Sequence, residues 1–452
     1  MADALDILRD ATQGTDYEGR LYLVGGIVRD KILGLPLEED IDIVLEGNAA
    51  SLAAFLFDKG ITDYKPVIFP RFGTAMISVG GQQVELVSAR SESYAPESRK
   101  PDVVPATLAA DAYRRDFTIN TLMENLHTDE VLDLTGRGMI DLKDGVIQTP
   151  ADPLLTFEDD PLRMLRAIRF AVRFRFRIDD ETYQAIHKKY HRLEIISKER
   201  IRDEFSKMLM TRERARAVEM LRETGLLSEF APELEEMYGI TQNIYHIYDV
   251  WTHTLKALEI LPEDSELHLR LAALFHDIGK PATRSIDGEG QVHFYTHQHV
   301  GANITRKVLS RLRYPNEITA RVVKIIDMHL RVGEYDEEWK DAAVRRLIRD
   351  AGPDLDALIT LTHADKSAAN MSMPSVDLDK LRQHIEKVKS ETDVEAMASP
   401  LTGREIMDIL GIEPGALVGE IKDYLTNEVI EGRLKQWDKD HAKKIVIERW
   451  SP

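Results

Sequence analysis

The hydrophobic pattern of the first 90 residues switches period repeatedly. Leu21-Tyr22-Leu23-Val24 is a short apolar run that predicts a strand. Gly25-Gly26 breaks it, and Ile27 to Leu33 reads as a short helix ended by Gly34 and Pro36. Asp40-Ile41-Asp42-Ile43-Val44 alternates as a half-buried strand does, which sends Ile41 and Ile43 to the core. Ala49 to Lys59 predicts a helix covering the sheet. Val67 to Phe69, Thr74 to Val79 and Val84 to Val87 predict further strands, the last two joined by a Gly80-Gly81 hairpin turn. Glu85, between apolar neighbours, is read as solvent-facing, with a carboxylate near a metal as the alternative. Arg90 to Ala112 has no clean period and three prolines, and predicts a long mobile loop, of the kind that is functional or disordered.

Farther along, the pattern turns helical. Asp160 predicts an N-cap with Pro161 at the first helical position. Leu162, Leu165, Ile168 and Val172 form one stripe, and Arg163, Arg166 and Arg169 recur beside it. Residues 180–235 are helical in pattern and carry a basic stretch: Lys188, Lys189, His191, Arg192, Lys198, Arg200 and Arg202. That stretch suits either an RNA groove or a solvated face. Asp133 to Leu142 is read as a turn and strand edge, and Ser399 to Trp450 as glycine-flanked short helices.

With 452 residues, 43% of them hydrophobic, the chain has material for about two to four domains. It contains no cysteine, which excludes disulfides, thiolate metal sites and a cysteine nucleophile. No apolar run spans a bilayer and the first residues, MADALDILRDATQG, lack a signal-peptide pattern, so a cytoplasmic protein with no membrane partner is expected. A net charge of −19 argues against indiscriminate nucleic-acid binding over the whole surface, but permits a local basic groove.

Asp40 and Asp42 share one strand face, where two carboxylates repel unless a cation lies between them. A hard divalent ion such as Mg²⁺ fits oxygen ligands. The Gly25-Gly26 turn before a helix lets backbone N–H groups approach an anion, within reach of Arg29. Phosphate cradle plus carboxylate pair is equipment for metal-assisted phosphoryl or nucleotidyl transfer. Arg114-Arg115-Asp116 suggests a second anion-binding corner with Asp116 as cap or orienter. Asp159 and Asp160, one turn before Arg163, combine acceptors with a planar donor fork able to match a base edge. A second constellation comprises His253, His276-Asp277 after the apolar run Leu271 to Phe275, and Asp365, with His297 and His329 as further candidates.

Taken in order, GGIVRD, DID, RRDFTIN and DDPLRMLRAIRF resemble the class II tRNA nucleotidyltransferase and bacterial poly(A) polymerase superfamily over roughly residues 18–235. Residues 240–370 resemble an HD-type phosphohydrolase domain. The resemblance implies an α+β protein: a small polymerase-β-like head (1–150), a helical neck (151–238), an HD domain (239–395) and a helical tail (396–452). It implies an enzyme that adds CCA to the tRNA 3′ end from CTP and ATP, with two Mg²⁺ ions on Asp40 and Asp42. Gly25, Gly26 and Arg29 would contact triphosphate and ribose, Arg115 and Asp116 the ribose. Asp159, Asp160 and Arg163 would read the base, and Arg166 would lie near the phosphates. The first reading carboxylate is Asp159, where many bacterial members have Glu. His253, His276, Asp277 and Asp365 would hold a divalent metal at the HD site. Narrower alternatives are A-adding or CC-adding only, a poly(A) polymerase, or chiefly an HD phosphohydrolase acting on RNA or nucleotide phosphoesters. The loop at residues 90–112 favours A addition among them.

Overall fold

The structure, a computed structural model, describes residues 2–36, 41–93, 102–242, 247–369, 376–391, 394 and 397–451. The chain divides into two compact units, Met1–Glu235 and Glu236–Pro452.

The first unit is built on β1 (Leu21–Val24), β2 (Ile41–Leu45), β3 (Val67–Phe69), β4 (Thr74–Val79) and β5 (Gln82–Ser88). A separate ribbon follows, of β6 (Arg90–Ser93) and β7 (Asp102–Pro105), then β8 (Met123–Asn125) and β9 (Val131–Leu132). The main sheet runs β3-β4-β5-β2-β1-β8-β9. β2 and β5 are parallel, and every other neighbouring pair in this sheet is antiparallel. One sheet face buries Val24, Val44, Val87 and Met123 against Leu108 and Ala112 of helix Leu108–Tyr113. Helix Ala49–Asp58 lies against β4 and β5 and buries Leu52, Ala53 and Leu56. Each fully buried Leu, Ile or Val contributes about 1.5–3 kcal/mol.

The turn after β1 explains its glycines. Gly25 sits at φ 75°, ψ −131°, which a side-chain-bearing residue adopts only under strain. Helix Gly26–Leu33 starts there and is closed by Gly34 in the left-handed region.

Three expected elements differ. The loop at Arg90–Ala112 contains the β6–β7 ribbon and helix Leu108–Tyr113; residues 94–101 lie outside the described residues. Asp141 and Leu142 belong to helix Gly138–Asp144, not to a strand edge. Asp159 ends helix Pro153–Asp159, which the sequence reading passed over, and the next helix is Leu162–Phe174, with Pro161 rather than Asp160 at its N-cap position. Asp160 still contributes to the cap: its Oδ1 accepts from the Leu162 N–H at 3.2 Å.

Helix Leu162–Phe174 buries Leu162, Leu165, Ile168 and Val172, as the stripe predicted, and packs on helix Lys198–Leu209. In the second unit, helices Val250–Ile260, Leu267–Phe275, His297–Arg311, Asn316–Gly333 and Leu355–Ala368 pack around a shared interior. The tail forms three helices, Gly403–Leu410, Ala416–Ile430 and Lys439–Trp450, around Leu401, Ile406, Ile421, Leu425, Ala442 and Val446. Among the described residues, no helix is long and apolar enough to cross a membrane.

Candidate functional site

In the first unit a cavity of about 870 Å³ opens beside the Gly25 turn. The turn and its helix contribute Gly25, Gly26 and Arg29, and β2 contributes Asp42. Arg115, Asp116 and Asn120 line it, as do Arg166, Arg169 and Arg173 of helix Leu162–Phe174. Asp40 lies outside the described residues. Asp42 is half-buried and pairs in parallel register with Glu85, so both carboxylates leave the same sheet face. Glu85 is therefore not out in solvent; it is half-buried beside Asp42. Asp42 in a wall rich in guanidinium groups, with the Glu85 carboxylate on the neighbouring strand, fits a hard divalent cation bound together with a polyanion.

The arginines do not form a solvated face. Arg29 is 2% exposed, with Nε on Asp30 Oδ1 at 2.7 Å and one terminal nitrogen on Asn120 Oδ1 at 2.7 Å. Its guanidinium lies against both the Phe170 and Phe174 rings, 5.2 and 4.7 Å from their centroids. Asn120 passes the chain of bonds on, donating to Asp116 Oδ1 at 2.9 Å. Asp116 Oδ2 accepts from Arg166 Nε at 2.7 Å. Arg169 is buried on Glu204 at 2.6 Å, and Arg173 reaches Asp30 at 3.2 Å. Burial works against charge on Asp116, but Arg166, Asn120 and Arg163 outweigh it and hold its carboxyl far below the usual range. Arg115 lies on Asp111 Oδ2 at 2.8 Å and still faces the cavity.

The base-reading candidates sit apart from that lining. Asp159, Asp160 and Arg163 are half-buried at the start of the same helical segment. Arg163 donates to the Arg114 carbonyl at 2.6 Å, which ties it to the Arg115-Asp116 corner. The structure thus gathers Gly25, Gly26, Arg29, Asp42, Arg115, Asp116 and Arg166 in one cavity, with Asp159, Asp160 and Arg163 beyond its wall.

Sequence reasoning missed Asp30, Asn120, Arg173, Glu204, Lys207 and Arg212, the last two being cavity-lining cations. Glu204 carried a signal. It stands among Ile201, Phe205 and Met208 on the buried face of its helix, where an acid requires a cationic partner.

The second unit holds the histidine–aspartate cluster. His276 caps helix Leu267–Phe275, and its Nδ1 meets the Ala273 carbonyl at 2.8 Å. His297 Nδ1 meets the Phe294 carbonyl at 2.8 Å and His329 Nδ1 the Ile326 carbonyl at 2.6 Å. A carbonyl fixes each Nδ1 as the protonated nitrogen, which leaves the Nε2 lone pair as ligand. Those Nε2 atoms converge. His253 Nε2 lies 2.9 Å from Asp365, His276 Nε2 3.2 Å and His297 Nε2 3.4 Å from Asp277, and His297 Nε2 3.3 Å from His329 Nε2. His276 Nε2 is buried with no hydrogen-bond partner, the situation of an atom built for a metal. Burial opposes charge on His276, yet Asp277 and Asp365 push it up to about 10. Burial, with His276 and His297 alongside, pushes His329 down to about 3. The carboxylates therefore draw positive charge into the cluster, either a proton on His276 or a metal cation that displaces it, while His329 stays neutral with its Nε2 lone pair available. Gly279 makes room for this: a Cβ there would lie 2.1 Å from the His297 carbonyl oxygen. His253, His276, Asp277 and Asp365 are brought together as the pattern suggested, with His297 and His329 added to them.

Comparison with known proteins matches this division. Residues 21–148 match the poly A polymerase head domain, 175–238 the probable RNA and SrmB-binding site of polymerase A, and 243–370 the HD domain. The A-adding tRNA nucleotidyltransferase of Deinococcus radiodurans is 34% identical over 77% of this chain and 80% of its own. The chain belongs to the tRNA nucleotidyltransferase family. The CC-adding tRNA nucleotidyltransferase of Thermus thermophilus is 30% identical to this nucleotidyltransferase, over 94% of this chain and 93% of the relative. The Bacillus stearothermophilus CCA-adding enzyme in complex with CTP shares the fold at a TM-score of 0.69 and 22% identity, covering 99% of this chain and 97% of that one. The α+β architecture, with an N-terminal sheet unit and a largely helical remainder, is thereby that of a nucleotidyltransferase.

Proposed function

We propose that this nucleotidyltransferase adds CCA to the tRNA 3′ end, using CTP and ATP. The observation that carries the reading is the cavity that unites Asp42, the Gly25-Gly26 turn and the Arg115-Asp116-Arg166 group. Asp42, with Glu85 beside it and Asp40 two residues before, would hold Mg²⁺. Held there, Mg²⁺ would supply the positive charge that makes the RNA 3′-hydroxyl more acidic and offsets the charge of the departing pyrophosphate. The chain's own residues do the positioning. Backbone N–H groups at Gly25-Gly26 and the guanidinium of Arg166 bind phosphate oxygens. Arg115 and Asp116 orient the ribose, with Asp116 also fixing Arg166 at 2.7 Å. Asp159, Asp160 and Arg163 read the base by hydrogen bonds to its edge. Gains from such fixed geometry and charge are the main contribution a protein makes to phosphoryl transfer.

Relatives at similar identity are an A-adding and a CC-adding tRNA nucleotidyltransferase, which favours an A-adding or CC-adding enzyme as the second reading. The test uses purified protein, Mg²⁺ and tRNA ending at the discriminator base, at -C-C or at -C-C-A, with CTP, ATP or both. Addition of CCA followed by arrest supports the proposal. Extension of only the -C-C substrate, or arrest at -C-C, supports the second reading, and long A tails overturn both.

In the HD centre, His253, His276, Asp277, Asp365, His297 and His329 would hold a divalent metal able to polarise a phosphoester. The four-domain division at 150, 238 and 395 is likewise our reading of how the chain distributes these tasks.

A further inference from the structure

Glu158, Asp159 and Asp160 are three consecutive carboxylates where helix Pro153–Asp159 ends. A helix C-terminus already carries negative partial charge, and the three groups repel one another. Left alone, that turn would spread or shift. Three cations from the following segment meet it. Lys189 Nζ donates to Glu158 Oε2. Arg192 holds both parts of the same residue, with Nε 3.5 Å from Oε1 and a terminal nitrogen donating to the backbone carbonyl at 3.3 Å. Arg200 reaches Asp160 Oδ2 at 3.4 Å while Asp160 Oδ1 accepts from the Leu162 N–H at 3.2 Å. The turn is fastened on its other side by Arg163, on the Arg114 carbonyl at 2.6 Å. Hydrogen bonding to Lys189 also holds the Glu158 carboxyl below its ordinary range, so the pair stays charged at neutral pH.

We infer that Lys189, Arg192 and Arg200 are positioning residues that hold the Asp159-Asp160 turn in register for nucleotide selection. This rests on the base-reading role proposed above for Asp159, Asp160 and Arg163. These cations belong to the basic stretch that suggested an RNA groove; here they face carboxylates of their own chain. Base discrimination needs donors and acceptors held within about 0.5 Å and 10–20°. A loosened turn therefore costs selectivity before it costs chemistry, because Asp42 and the phosphate-facing Gly25-Gly26 turn lie on other elements.

The test compares wild type, Lys189→Ala, Arg192→Ala and the conservative Lys189→Arg on tRNA ending at the discriminator base and on tRNA ending at -C-C. The readouts are kcat/KM for CTP on the first and ATP on the second, each against UTP and GTP, and KM for tRNA. Both alanine variants are expected to lower the correct-to-incorrect ratio about tenfold or more, with KM for tRNA unchanged and Lys189→Arg near wild type. A raised KM for tRNA at unchanged selectivity would assign these cations to RNA phosphates and overturn the inference. So would an equal loss for all four nucleotides, or no change. If an alanine variant loses its native circular dichroism spectrum, Glu158→Gln removes the pair from the other side and carries the same test. A wild-type protein that extends no tRNA fails the proposed function instead.

Discussion

Asp42 and Glu85 stand at the same level of two adjacent parallel strands and share one face of the sheet. Residues 43 positions apart in sequence thus form a pair of neighbouring carboxylates, the proposed metal ligands. Glu85→Gln removes one ligand charge and keeps the shape. Apparent Mg²⁺ affinity in the extension assay is expected to fall about 10- to 100-fold, with rates partly recovered at high Mg²⁺. An unchanged Mg²⁺ dependence would put Glu85 outside the metal site.

Asp116 makes a pH-dependent contribution whose sign is set by its lowered pKa. Folded, its carboxyl titrates far below the usual range; unfolded, it titrates near 4. Its stabilisation is therefore complete above about pH 4 and is lost as pH falls from there toward the folded value. Asp116→Asn is expected to cost about 2–3 kcal/mol at pH 7, allowing for the partial exposure of Arg166. The deficit should shrink as pH drops below about 4. Urea midpoints of both proteins at several pH values check this, and a deficit that stays constant from pH 7 to pH 3 would contradict it.

The HD centre and the cavity lie in different units, so their losses should separate. His276→Ala removes a buried Nε2 that faces Asp277 at 3.2 Å and Asp365 at 3.7 Å. Metal analysis after reconstitution with Mn²⁺ or Ni²⁺ should show one ion fewer per chain. Nucleotide addition to tRNA should persist. Equal metal content in variant and wild type would dissociate the histidine cluster from metal binding.

Much of the first unit was legible because its local periods were clean: the β1 run, the glycine turn and the β2 alternation each lie within a few residues. The pairing of Glu85 with Asp42 was not, because strand register is a long-range property that local alternation does not contain, so the sequence left Glu85 with two readings. The β6–β7 ribbon escaped because a two-stranded ribbon outside the main sheet need not alternate apolar and polar residues. Helix Pro153–Asp159 was passed over although Asp152-Pro153, at its start, is the same cap-and-proline signal that marked Asp160-Pro161. The HD residues were legible as residue types, spread from His253 to Asp365. The carbonyls that fix His276, His297 and His329 could be seen only once the helices were packed.

The most direct test of the nucleotidyl-transfer site is single-turnover incorporation of CTP into tRNA lacking CCA, comparing wild type with Asp42→Asn. Both proteins should give the same circular dichroism spectrum and bind tRNA alike. Wild type should add C, and Asp42→Asn should be slower by about 10²–10³-fold or more. Wild-type incorporation by Asp42→Asn would place the chemistry elsewhere and contradict the reading of the cavity.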